Sequence, residues 1–275
     1  MKRRILSIII IATMVLTGIN VPQKEIKLEV QAQVATHTSG VYEYTLNDDE
    51  EATITKYTGS ETDIQIPDKI DGYKVNSLGN QLFLNKKNIK SINIPDIVQT
   101  IGDNAFEGTS LTELVLPGQI KSIGNAILKG VKGVTEITIP NGVTGAGFYG
   151  PFNGSAITKA TFANGITKIP DNMFRNCTTL KEVMIPDSVT VIGSRAFDQC
   201  TQLGNIGLPD GVTSIGDYAF ACTALNELEL PKQLESIGYS IITEVKGVTE
   251  ITIPNGVTGA GFYGPFNGSA ITKAT

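Results

Sequence analysis

The chain has 275 residues, 41% of them apolar, with 29 glycines, 12 prolines and a formal net charge of −5. There is enough apolar matter to bury a core, and the negative charge argues against nucleic acid and anionic membranes, which are bound through basic patches. One histidine and three cysteines supply neither a disulfide framework in an exported chain nor a tetrahedral metal set.

At the N-terminus, Lys2-Arg3-Arg4 precedes an apolar run from Ile5 to Leu16, followed by Gly18, Asn20 and Pro22. A basic start and a short apolar run form the export-signal pattern, and the run is too short to span a bilayer comfortably. Val30-Gln31-Ala32 carries the residues a signal peptidase reads, so residues 1–32 are expected to be a signal peptide, with no membrane insertion after its removal. Cleavage takes five of the 22 basic and two of the 27 acidic residues, leaving 17 against 25, a net of −8. Residues 33–40 read as a short flexible leader. Tyr42-Glu43-Tyr44-Thr45-Leu46 and Ala52-Thr53-Ile54-Thr55-Lys56-Tyr57 alternate around Asp48-Asp49-Glu50-Glu51, predicting a hairpin, so that 33–61 is leader and N-terminal cap.

From residue 62 the chain is periodic. An apolar residue followed by proline recurs at Ile66-Pro67, Ile94-Pro95, Leu116-Pro117, Ile139-Pro140, Ile185-Pro186, Leu208-Pro209, Leu230-Pro231 and Ile253-Pro254. After a first gap of 28 the spacing is 22 or 23, or 46 where Phe162-Ala163 is a degenerate copy. A full unit reads Leu180, Val183, Ile185-Pro186, Val189, Ile192-Gly193, Ala196-Phe197, Cys200, and the next repeats it from Leu203. Apolar residues alternating with polar ones before the proline predict a strand with one buried face. The proline lacks a donor and ends the pairing. Asn141-Gly142, Asn164-Gly165, Asp210-Gly211 and Asn255-Gly256 then form turns. A second extended stretch ends in Ile-Gly, and a short Ala-Phe segment closes the coil. One such unit cannot bury its own apolar face, so residues 62–275 are predicted to stack about nine units of 22–23 residues into a repeat solenoid, mainly β.

The string Val98-Gln99-Thr100-Ile101-Gly102-Asp103-Asn104-Ala105-Phe106, repeated at 189–197 and 212–220, together with Ile-Pro-Asp and a Cys after the Phe, resembles the BspA-like leucine-rich repeat family of bacterial surface proteins. The resemblance implies a curved leucine-rich-repeat stack, with one parallel sheet on the concave side and short extended or helical-turn segments on the convex side. It also implies adhesion or ligand binding, and no catalytic residues to carry over. The asparagine ladder of commoner leucine-rich repeats is missing, its place held by Gln119, Gly142, Gly165, Ser188, Gly211, Gln233 and Gly256.

Residues 131–161 and 245–275 are the same 31 residues at an offset of 114, which implies duplication of a five-unit block, 111–224 being the first copy. The sequence ends at Thr275 inside a strand, so the solenoid is expected to be truncated there and to continue as Phe162-Ala163-Asn164-Gly165 continues the first copy.

Few residues are candidates for chemistry. His37 precedes the repeats and is expected to be exposed, without a nucleophile to serve. Cys177, Cys200 and Cys222 follow the closing segment in three successive units and are expected to stack in one buried column, as small hydrophobes. On the outward face of the strand, Glu113, Glu136, Glu182, Glu227 and Glu250 form a column interrupted by Lys159 and Asn205, flanked by Thr112, Thr135, Thr138 and Thr158. A regular ladder of carboxylates lacks the single distinct pair a glycosidase needs. It reads as a solvated sheet face or as a docking face. In the unit at 134–156, Gly145-Ala146-Gly147-Phe148-Tyr149-Gly150-Pro151-Phe152 replaces the usual closure, and its copy carries Phe262, Tyr263 and Phe266. These aromatics either refill the core or form an exposed contact loop, with Phe148, Tyr149, Phe262 and Tyr263 the candidate ligand contacts. The reading is a secreted or bacterial cell-surface binding or adhesion module with no enzymatic activity and no cofactor. It would engage a protein or glycan, host extracellular matrix among them, and a passive spacer for another domain is the alternative.

Overall fold

The structure, a computed structural model, describes residues 34–260 and 264–275. The candidate signal peptide and the aromatics Phe262 and Tyr263 lie outside the described residues.

The coil is right for a β-solenoid, and no helix occurs among the described residues. Three lines of backbone hydrogen bonds run between the coils, the first of them only in stretches. The first is the ladder before the Pro: Asp63–Gln65 pairs with Ser91–Asn93, Glu136–Ile139 with Lys159–Phe162 and then Glu182–Met184, and Glu250–Ile251 with Lys273–Ala274, all parallel and in register. Every second residue turns inward, burying Ile64, Ile137, Ile139, Ala160 and Phe162.

The second extended stretch also pairs. Tyr73–Leu78, Thr100–Ile101, Ser122–Ile123 and Gly145–Ala146 form one parallel run, and Lys168–Ile169, Val191–Ile192, Ser214–Ile215, Ser236–Ile237 and Gly259–Ala260 form another. Six of these segments end in a buried isoleucine, Ile101, Ile123, Ile169, Ile192, Ile215 and Ile237, and Tyr73–Leu78 in a buried leucine. The glycine that follows is there because coils approach too closely for a side chain: a Cβ on Gly216 would lie 2.5 Å from Ser194 N, and one on Gly102 2.6 Å from Asn80 N.

The third line runs along the Ala-Phe turns. Gln81, Phe83 and Asn85 donate to the carbonyls of Asp103, Ala105 and Glu107 in the next coil, and Arg195, Phe197 and Gln199 donate to Asp217, Ala219 and Ala221. Among the described residues, each of nine turns holds two residues at positive φ four positions apart, from Gln81 and Asn85 through Arg195 and Gln199 to Gly264 and Gly268. Between them the phenylalanines stack inward, Phe174 on Phe197 at 6.0 Å and Phe197 on Phe220 at 5.8 Å.

A fourth device, made by side chains, follows the glycine. Asp103 Oδ1 accepts from Asn125 N at 2.6 Å, Asn125 Oδ1 from Tyr149 N at 2.8 Å, and Asp217 Oδ1 from Tyr239 N at 3.0 Å. A ladder of carboxylate and amide acceptors therefore exists, at a different place in the repeat from that of the asparagine ladder of commoner leucine-rich repeats.

Two sequence expectations are corrected. Residues expected as a flexible leader contain a strand, β1 (Thr36–Ser39), antiparallel to β2 (Tyr42–Leu46), which pairs in turn with β3 (Ala52–Tyr57). The β3 strand runs parallel to Tyr73–Leu78, so the hairpin extends the second ladder. The cysteines do not share one column: Cys177 and Cys200 sit three residues after the closing phenylalanine and are fully buried, but that place in the next coil belongs to Thr223. Cys222 is one residue earlier, at a positive-φ turn position with φ 53° and only half-buried. Thr223 Oγ1 donates to Phe220 O at 2.8 Å, as Thr109 Oγ1 does to Phe106 O, which satisfies a hydroxyl where the two preceding coils place a thiol.

Candidate binding surfaces

On the outward face of the first ladder, register places Lys159 beside both Glu136 and Glu182, and Lys273 beside Glu250. Lys159 Nζ lies 3.2 Å from Glu182 Oε1 and Lys273 Nζ 3.3 Å from Glu250 Oε2. The glutamate column is thus a mixed-charge ladder, and these exposed pairs contribute little stability. Glu113 and Glu227 are exposed on the same face. The next outward position carries Val115 and Met184, 73% and 51% exposed. Over the last coils this face shallows into an open depression of about 900 Å³ lined by Glu227, Glu229, Glu250 and Lys273.

The variant coil answers the question its aromatics raise, and it divides them. The segment Gly147-Phe148-Tyr149-Gly150 is one residue longer than Gly124-Asn125-Ala126 in the preceding coil. Phe152 takes the closing position, fully buried and stacked on Phe174 at 5.2 Å. Phe148 and Tyr149 are pushed outward and stay 62% and 60% exposed. They are held there: the two rings meet edge to face at 5.1 Å, and Tyr149 N donates to Asn125 Oδ1. Arg175 Nη1 donates to Phe148 O at 3.1 Å, and its guanidinium lies 5.2 Å from the Phe148 ring centre.

Contacts continue from there along the turns. Arg175 Nε is 3.4 Å from Asp198 Oδ2, an ion pair rather than a formed hydrogen bond. Arg195 covers the Tyr218 ring at 4.7 Å, and Tyr218 meets Tyr239 edge to face at 4.8 Å. Asp198 is buried, and burial pushes its carboxyl above the ordinary range against the opposing pull of Arg175 and Arg195. The result is a pre-ordered edge of aromatic rings and guanidiniums over coils 147–239. The sequence signal for the exposed pair was the glycine-flanked Phe-Tyr; nothing marked Arg175, Arg195, Tyr218 and Tyr239 as their continuation, because the residues are 20 or more apart and meet only through coil stacking.

Other candidates do not gather. His37 is exposed on β1 and stacks on Tyr44 at 5.1 Å. Burial holds the Cys177 thiol up at about 12 and Cys200 well above its usual value, so neither is a ready nucleophile. Among the described residues no group of three or more His, Cys, Asp or Glu could hold a metal, and no helix is long and apolar enough to cross a membrane.

A stacked coil of this period, with inward isoleucines and phenylalanines, defines a leucine-rich repeat solenoid. The family profile described as BspA type leucine rich repeat region matches residues 54–178 and 147–270, in six copies, and the chain belongs to that family. Its fold is similar to that of a leucine rich cell surface protein from Faecalibacterium prausnitzii A2-165, which is 30% identical, with 88% of this chain and 76% of that one covered and a TM-score of 0.58. It is also similar to a leucine-rich repeat protein from Bacteroides ovatus ATCC 8483, at 20% identity, 87% and 76% coverage and a TM-score of 0.56. No curated protein matches the chain.

Proposed function

We propose that the protein is an exported, surface-displayed binding module, carried out of the cell by residues 1–32, and that it engages a protein ligand along its aromatic edge. The observation that carries this reading is the exposure of Phe148 and Tyr149. Two large apolar side chains held in water cost free energy unless something covers them, and aromatic residues and arginine dominate binding hot spots. Because Arg175 and Asn125 already hold the loop, little side-chain freedom remains to be lost on binding. The rings stand at 86°, so they offer a ridge for a protein side chain rather than the coplanar platform that would suit a sugar ring. The glutamate face is the weaker candidate, since Lys159 and Lys273 neutralise part of it.

The test is a binding screen of the mature chain against immobilised extracellular-matrix proteins and mucin glycans. Phe148→Ser with Tyr149→Ser is one arm, the same double change repeated at Phe262 and Tyr263 a second, and Glu113→Lys with Glu136→Lys a third. Loss of at least tenfold in affinity for a matrix protein in the aromatic arms alone is the expected result. Loss only in the glutamate arm moves the site to the first ladder, and retention on mucin alone makes the ligand a glycan.

A further inference from the structure

We propose that the junction between coils 134–156 and 157–179 is a hinge built into the solenoid, with the first ladder as its axis. The inference is independent of what the protein binds. At the next junction along, all the lines are present, and every other junction between the described repeat coils keeps at least the second ladder and the turn line. Val191 N and Gly193 N donate to Thr167 O and Ile169 O, Ser194 N donates to Asp171 Oδ1, and Asn172 N and Phe174 N donate to Ser194 O and Ala196 O.

At the 134–156 to 157–179 junction three of the four are missing. Gly145–Ala146 and Lys168–Ile169 do not pair, which splits the second ladder into separate sheets. The glycine position of the later coil is Pro170, which has no N–H to donate. The acceptor position of the earlier coil is Phe148, whose side chain cannot receive the Asp171 N–H as Asp171 receives that of Ser194. In the turn line, the bond of Gly150 N is local, to Gly147 O, and the lengthened loop sends none of the regular bonds forward.

What remains is the first ladder, paired over four residues from Glu136↔Lys159 to Ile139↔Phe162 and extended by Ala163 N to Ile139 O at 2.9 Å. One intact line along one side, with none on the other two, is the geometry of a door on its hinge. Away from the ladder the two coils are held by side chains: the Phe152–Phe174 stack, the Ser155–Cys177 contact, Thr179 Oγ1 donating to Ser155 O at 3.3 Å, and Arg175, which reaches back to Phe148. Arg175 is the strap.

Cysteines already in the chain report on such an opening. Cys177 Sγ lies 3.7 Å from Ser155 Oγ across the junction, whereas Cys200 sits one coil further from it. Both are fully buried, so either can react only when its cover moves. In a Cys222→Ser background, labelling by an aromatic disulfide reagent under native conditions is expected to modify Cys177 at least tenfold faster than Cys200. Arg175→Lys should widen that ratio, and Pro170→Gly with Phe148→Asn, which restores a donor and an acceptor, should narrow it by slowing Cys177 alone. Equal labelling of the two thiols in the parent chain overturns the proposal whether or not the variants fold, and so does an unchanged Cys177 rate in a folded restoring variant.

Discussion

The turns store strain that can be removed without touching the core. Gln199 is exposed at φ 62°, where a side chain costs about 1–2 kcal/mol relative to the right-handed region. Glycine loses about 0.5–1 kcal/mol to the freedom it gains in the unfolded chain. Gln199→Gly is therefore expected to stabilise the protein by about 0.5–1 kcal/mol in urea denaturation. The opposite change at Gly216 acts through space, since its Cβ would lie 2.5 Å from a backbone nitrogen that cannot move aside. Gly216→Ala should cost about 1–3 kcal/mol, the range for overpacking, by the same assay. Asp198 responds to pH. Its folded carboxyl is raised above the ordinary value by burial, so its contribution to stability is complete below the unfolded pKa of about 3.9 and is lost as pH rises through the folded one. Asp198→Asn mimics the neutral form and is expected to be more stable than the parent at pH 7, the gap closing as pH falls below about 4. A gap that persists in acid would show that packing, not charge, sets the difference.

Among the elements, the acceptor ladder after the glycine is the most exposed to a clean test. Asp103→Ala leaves Asn125 N without its 2.6 Å partner, at a cost of about 1–3 kcal/mol, while Asp103→Asn keeps an acceptor and should cost far less. Thermal denaturation of both variants checks the contrast. The same ladder shows which parts of the structure were legible in the chain. The strand before the proline announces itself by alternation over four residues and by the proline that ends it. The second ladder is only two residues long in most coils, too short for a period to show, and its glycine marks a close approach between coils that no local pattern encodes. The cysteine column failed for a related reason: Cys222 is one residue out of step, and in a turn with left-handed positions at every fourth residue one step moves a side chain from the core to the rim. The aromatic pair was legible as an anomaly, whereas its division into a buried Phe152 and an exposed Phe148 and Tyr149 depended on the length of the loop and on the space beside Phe174.

For the whole molecule, stability in a solenoid is approximately a sum of coil terms and nearest-neighbour terms, so cooperativity propagates only as far as neighbouring interfaces stay strong. A junction that has lost both the second ladder and the turn line, which the other junctions keep, is a weak coupling in that sum. The coils on its N-terminal side are tied to the β1–β3 hairpin, and those beyond it share the stack of Phe174, Phe197 and Phe220. Each side therefore has its own source of cohesion, and local opening free energies should group accordingly. Hydrogen exchange followed by mass spectrometry across a urea series is expected to show two cooperative blocks, residues 34–156 and 157–275, losing protection at different urea concentrations. In Pro170→Gly with Phe148→Asn the two midpoints should draw together, because the restored bonds raise the coupling between coils without changing the cohesion within either block. If all segments of the parent chain lose protection at one midpoint, the coupling carried by the first ladder and the Phe152–Phe174 contact is already sufficient to make the solenoid a single cooperative unit.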